Sequence, residues 1–172
     1  MEFFEAIKAR RSVRAFKPDK LKEGDLEKIL DAGRQAPNAG NCQPWEFVVV
    51  RDDGVKQKLV EASGQGFVAE APVVVVVCAN VPRVSSRYGK RGAELYSIQD
   101  TAAATENMHL AAVALGYGTC WVGAFDEEAV AKAIKAPKDV RPVAMIPIGR
   151  PAEKPAPTSR LPLEKIVHED GF

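Results

Sequence analysis

Arg10-Arg11-Ser12-Val13-Arg14 and, about one helix later, Ala36-Pro37-Asn38-Ala39-Gly40-Asn41-Cys42-Gln43-Pro44-Trp45 are the two stretches on which the reading of this chain turns. The first gathers guanidinium forks and a hydroxyl where an initial helix should end, a composition suited to a phosphate or another planar anion. The second reads as a rigid polar loop. Pro37 and Pro44 restrict the backbone, Gly40 gives access to positive φ, and Asn38, Asn41 and Gln43 offer amides to something planar and polar.

Working outward, hydrophobic spacing predicts a short first helix ending near Arg11, with Phe3, Phe4 and Ile7 on its apolar stripe. A second helix starts near Asp25, places Leu26, Ile29, Leu30 and Gly33 on one face, and stops before Pro37. Residues 46–51 read as a strand, 56–62 as a short helix, and 72–79 as a buried strand too β-branched for a helix. The longest periodic stretch, 91–115, reads as a central helix ended by Gly116 and Gly118. A strand at 119–124, a helix at 126–134 and a strand at 143–148 follow. Pro151, Pro155, Pro157 and Pro162 make the rest an extended tail that should pack on something.

Composition sets the bounds. The 172 residues, 46% hydrophobic and 27% charged, fit a single globular domain over 1–172, with no internal repeat. A formal net charge of +1 argues against a dedicated nucleic-acid binder. The charge is uneven, because seven of the first 22 residues are Lys or Arg, and that local excess could hold one anionic ligand. Three cysteines without a CxxC pair and two histidines, His109 and His168, speak against a disulfide framework or a metal site. The longest apolar run, 71–79, is about half a membrane span, so the expected location is the cytoplasm and no membrane partner is expected. No GxGxxG or GxxxxGK[ST] is present, which removes the common dinucleotide and P-loop signatures.

The two opening motifs, together with Ala71-Pro72, Glu94-Leu95-Tyr96-Ser97-Ile98-Gln99-Asp100, the stretch from Gly116 through Cys120-Trp121-Val122-Gly123-Ala124, and Ser159-Arg160-Leu161-Pro162-Leu163, occur in an order and spacing that resembles the nitroreductase family of flavin enzymes. The resemblance covers nearly the whole chain. It implies an α+β domain with a central, mostly antiparallel sheet flanked by helices, assembled as an intertwined homodimer with FMN at the interface. By the same resemblance Arg10, Ser12 and Arg160 hold the FMN phosphate, Arg14 lies near the polar end of the flavin ring, and Arg11 takes a less constant place beside them. Pro37, Asn38, Ala39 and Asn41 reach the flavin of the other subunit, and Trp121, Val122, Gly123 and Ala124 lie against the ring.

The implied activity is ping-pong hydride transfer from NADH or NADPH to a nitroaromatic, a quinone or a related small acceptor. The cofactor carries the chemistry, so no catalytic side chain is assigned. Dehalogenation, enoyl reduction, flavin fragmentation and non-enzymatic redox sensing remain alternatives on the same fold. The chain also departs from larger members: it is shorter, it has Thr158 where a basic residue often assists the phosphate, and it offers Gln65 and no lysine over 61–72.

Overall fold

Five consecutive valines at 73–77 set the centre of the molecule, because alternate side chains of a strand point to opposite sides and here both sides are apolar. In the computed structural model, which describes residues 1–172, they form β2 (Val73–Asn80), flanked by β1 (Trp45–Val50) and β4 (Val140–Gly149). A two-residue β3 (Gly118–Thr119) completes the order β1-β2-β4-β3, with every named pair antiparallel. Val74 faces Val50 in β1 and Pro147 in β4, and the β2–β4 register shifts between Val77 and Cys78.

The odd-numbered valines pack with Ile29, Met108, Ala112, Ile146 and Ile148, beneath α2 (Asp25–Arg34) and α6 (Ser97–Ala114). The even-numbered ones pack with Leu59, Val68, Val130 and Met145, beneath α3 (Asp53–Ser63), α4 (Phe67–Glu70) and α7 (Glu127–Ala133). The result is an α+β sheet covered by helices on both faces. α6 crosses α2 where Gly33 lies under Met108; a Cβ there would stand 2.8 Å from Met108 Cγ. No helix is long and apolar enough to cross a membrane.

Several boundaries differ from the sequence expectation. The central helix begins at Ser97 and is preceded by a π-helical turn, Gly92–Tyr96, and by α5 (Val81–Arg91), a helix that the sequence pattern did not indicate. α5 buries Val84 alone and contains Pro82, two serines and Gly89, so it carries no apolar stripe to read. Its start does obey the capping rules: the Asn80 side chain accepts from Arg83 N at 3.3 Å, with a proline in the first turn. The expected strand over 119–124 shrinks to β3 and one antiparallel bridge from Val122 to Met145.

Both chain ends leave apolar surface uncovered. α1 (Phe3–Ala9) buries only Ala6, while Phe3 and Phe4 are 61% and 74% exposed. The tail pairs with the N-terminal segment through Lys17 N to Arg150 O (2.8 Å) and Ala152 N to Ala15 O (2.9 Å). Beyond that it runs exposed through one 3-10 turn, Leu163–Lys165, presenting Leu161, Leu163, Ile166 and Val167.

Gly118 is where the N-terminal segment docks on the sheet edge. A Cβ on it would stand 2.8 Å and 2.9 Å from two carbons of Val13, whose branched side chain cannot swing away, and 3.0 Å from Pro151. Gly118→Ala should therefore destabilise the fold by about 1–3 kcal/mol, the range for overpacking. Urea unfolding measures it, and an unchanged midpoint would show that the edge gives way freely.

Candidate functional site

Arg10 caps the C-terminus of α1, its backbone N–H reaching Ala6 O at 3.0 Å. The chain then leaves the helix as an extended segment: Ser12 forms a parallel bridge with Thr119, and Val13 N donates to Thr119 O at 2.9 Å. This one contact brings the basic motif against the 118–124 stretch, more than a hundred residues away in sequence. The environment of Cys120 records the meeting. Burial pushes its thiol up, while Arg14, the Ser12 hydroxyl and Arg10 pull it the other way.

Beneath this junction lies His109 of α6, 3% exposed. Its Nδ1 is 2.6 Å from Thr119 Oγ1, and its ring stacks on Trp121 with centroids 5.7 Å apart and planes at 23°. Nε2 is buried and has no hydrogen-bond partner in the chain. Burial, with the Arg10 charge adding to it, holds the imidazole down to about 4, so His109 is neutral near pH 7. One turn earlier on the same helix, Glu106 stands 4.0 Å from Arg10 Nε. Burial raises its carboxyl and Arg10 lowers it, in that order of size. At that distance the guanidinium makes no direct hydrogen bond to Glu106, and its donors remain available to an anion.

The other expected residues divide. Arg11 donates to Lys8 O (2.6 Å) and Arg10 O (2.7 Å), so its guanidinium serves the carbonyls at the end of α1. Arg14 is exposed, with its backbone N–H on the Glu153 carboxylate. Trp121 is 42% exposed, and Val122 is pinned by two 2.9 Å backbone bonds with Met145. Gly123 has only the Trp121 indole within 4 Å of where a Cβ would stand, so its backbone is open to close approach. Ala124 O accepts from Gln65 Nε2 at 3.3 Å, which places Gln65 beside this stretch. Arg160 lies on the exposed tail, where its hydrogen bonds go to Thr158 and Ser159, with Thr158 Oγ1 at 2.6 Å. Within the single chain it does not join Arg10 and Ser12.

The 37–41 loop is held separately. Ala39 N donates to both oxygens of Asp100 at 3.1 and 3.2 Å, Asn38 Oδ1 accepts from Gln43 N at 2.8 Å, and Arg87 donates to Gly40 O at 2.9 Å. Gly40, Asn41 and Gln43 all have positive φ, near +50°, which turns the loop outward. Pro37 and Asn41 are exposed, and the Asn41 side-chain amide makes no hydrogen bond within the chain, although its backbone N–H reaches Asn38 O at 3.4 Å. Asp100 and Glu106 both belong to α6, six residues apart. That spacing is about 9 Å along the axis and about 120° around it, so the loop and the basic motif leave the helix on different faces.

Residues 7–68 and 56–150 match the profile described as the nitroreductase family. The chain belongs to the nitroreductase family. A relative from Archaeoglobus fulgidus, named NADH dehydrogenase/NAD(P)H nitroreductase, is 37% identical over 158 residues, which cover 89% of this chain and 87% of its own. One of the same name from Methanothermobacter thermautotrophicus is 36% identical over 160 residues, covering 90% and 80%. The fold superposes on a nitroreductase family protein from Clostridium novyi with a TM-score of 0.82 at 34% identity, over 91% of this chain and 89% of that one. With a Parabacteroides distasonis protein, again named NADH dehydrogenase/NAD(P)H nitroreductase, the TM-score is 0.88 at 27% identity, over 99% and 98%.

Family membership accounts for the motifs, including the 94–100 stretch that ends on Asp100, but not for the roles of His109 and Glu106. The only signal in the sequence was that Glu106 and His109 are spaced i,i+3 and so share a helix face.

The neutral state of His109 has a consequence for stability. The unfolded chain takes up this proton near 6.5 and the folded one near 4, so between those values unfolding binds a proton and stability falls as the pH is lowered. His109→Gln keeps a hydrogen-bonding group for Thr119 without the titration. The wild-type advantage over this variant should shrink by about 2–3 kcal/mol between pH 7 and pH 4.5, as measured by urea unfolding. A difference independent of pH would mean that the imidazole is not buried in its neutral form.

Proposed function

We propose that this chain is an FMN-dependent oxidoreductase that takes hydride from NADH or NADPH and passes it to nitroaromatics, quinones or related small acceptors, working as a two-fold homodimer. NAD(P)H-dependent oxidoreductase activity follows from the family and the names its relatives carry. The observation that carries the FMN assignment is the convergence of Arg10, Ser12 and Arg14 on the 118–124 stretch, where the Arg10 guanidinium makes no hydrogen bond within the chain. Charge-assisted donors left unpaired at this junction fit a phosphate supplied from outside the chain.

In this reading Arg10, Ser12 and Arg160 hold the phosphate, with Arg11 at its margin. Arg14 places a cation near the polar end of the ring, and Trp121, Val122, Gly123 and Ala124 carry the ring on a backbone that the Val122–Met145 bridge keeps rigid. Pro37, Asn38, Ala39 and Asn41 come from the partner chain. The cofactor, when bound, supplies reversible hydride transfer. The protein's part is to hold it, to shed water from one face and to leave room there for donor and acceptor in turn.

Two features of the single chain support the dimer. The loop and the basic motif leave α6 on different faces, as two sites sharing two chains require. The exposed Phe3, Phe4, Leu161, Leu163, Ile166 and Val167 supply apolar surface for a partner to cover.

The purified protein should be yellow and release FMN, not FAD, on denaturation. Charge-assisted contacts are worth roughly 1.5–3 kcal/mol, so Arg10→Ala should weaken FMN binding about ten- to a hundred-fold with the fold intact. Fluorescence titration of the apoprotein measures this, and an unchanged Kd would return the basic motif to a solvated surface.

Subunit mixing tests the shared site. Arg10→Ala and Asn41→Ala chains, each impaired and still dimeric, should on exchange recover wild-type behaviour at about a quarter of all sites, because half of the dimers are mixed and one of their two sites is intact. Activity fixed at the parental mean, with exchange confirmed by mass, would place both residues in one chain's site.

A further inference from the structure

The segment between β2 and α6 adds little to the core, yet its backbone is unusual at two points. Gly89 adopts φ 54° and ψ −139°, a conformation that side chains disfavour, and Gly92–Tyr96 is a π-helical turn, a form found frequently at functional sites. Together they bring Tyr88 and Tyr96 edge to face, with centroids 5.2 Å apart and planes at 82°. The Arg87 guanidinium lies 5.5 Å from the Tyr88 centroid, and that of Arg91 lies 5.4 Å from the Tyr96 centroid with Nε donating to Tyr96 Oη at 3.0 Å.

The two tyrosines line a shallow cavity of about 530 Å³ together with Pro37, Asn38 and Ala39. Gly40 sits so close beneath this cluster that any side chain there would strike the Tyr88 hydroxyl and the Arg87 guanidinium. The loop assigned to the partner chain's flavin is thus packed directly on the arginine–tyrosine cluster.

The charges are unbalanced. Arg83 pairs with Glu46, and Lys90 stands 3.7 Å from Glu94, whereas Arg87 and Arg91 have no carboxylate partner. The one acid lining the cavity, Asp100, is 6% exposed and turned onto Ala39 N, and burial raises its carboxyl. Guanidiniums lying over aromatic rings are already oriented, so they can grip a planar anion with little further ordering.

We propose that Tyr88, Tyr96, Arg87 and Arg91 form an acceptor subsite that selects planar aromatic substrates carrying a carboxylate. The ligand ring packs on the tyrosines, and its carboxylate meets the N–H groups that Arg87 and Arg91 have left once Gly40 O and Tyr96 Oη are served. This rests on the reading of the protein as a flavin oxidoreductase whose 37–41 loop reaches the flavin of the partner chain. It adds the class of acceptor.

The test is calorimetric titration of the purified protein with 2-naphthoate and with 2-naphthamide, which share a ring system and differ in charge, with FMN content measured on the same sample. The wild type should bind the acid more tightly than the amide by about tenfold or more, the scale of one charge-assisted contact. Arg91→Gln, which breaks no backbone contact, should bring that ratio near one with amide binding and FMN content unchanged. Arg91→Lys should restore part of it, and Tyr96→Leu should weaken both ligands. In turnover, the KM for 4-nitrobenzoate should rise in Arg91→Gln while that for 4-nitrobenzamide does not. Equal binding of acid and amide by FMN-loaded wild type, or a ratio untouched by Arg91→Gln, overturns the subsite. An Arg91→Gln effect confined to NADPH, absent with NADH and with the acids, also overturns it and assigns the arginines to the dinucleotide phosphate. Protein that takes up no FMN at all refutes the flavin reading instead.

Discussion

Both polar segments of this protein are tied to one buried helix, and the rest of the site depends on those ties. Asp100 holds the 37–41 loop through Ala39 N, while His109 fixes Thr119, whose carbonyl in turn takes the N–H of Val13 and so seats the basic motif. Because α6 is itself clamped between α2 and the sheet, these anchors are rigid, and the residues they carry cannot drift independently. Rigid placement matters for the flavin enzyme proposed above, in which the protein's contribution is mainly position and electrostatics.

The electrostatic arrangement follows the same logic. His109 beside Arg10 is kept neutral by burial, so it adds no second cation, and Glu106 stays at arm's length from the guanidinium. Arg11, the other strong donor of the motif, is spent on the end of α1. What remains is a small positive site of Arg10, Ser12 and Arg14 in a chain whose net charge is only +1. On the far side of the loop, Arg87 and Arg91 make a second positive surface with aromatic backing. The two surfaces adjoin different faces of α6, and each suits a different anion.

Much of this was legible from the residues. The two motifs, the five valines and the alanine-rich helix fixed the family, the sheet and the central helix, because hydrophobic period and turn residues act over short distances. The 81–91 helix escaped because it buries almost nothing and so has no stripe, although Asn80 and Pro82 mark its start. The strand expected over 119–124 was cut short because its neighbours cover only Gly118, Thr119 and Val122. Such pairing is a property of the partner strand, which no local pattern reports.

The sequence by itself determined the elements that carry their own signal: an uninterrupted β-branched strand, amphipathic helices, a proline-bounded loop and a cationic cluster. Only the tertiary structure decided which of the candidate donors are free and which are already used. Arg10 and Arg11 are adjacent and identical, yet one is open to a ligand and the other is bound to helix carbonyls. His109 is one histidine among two, and its surroundings exist only because Arg10 and the Thr119–Trp121 stretch arrive from two distant parts of the chain. A side chain's proton affinity and spare hydrogen-bonding capacity depend on what packs around it, and those neighbours are brought together by the fold.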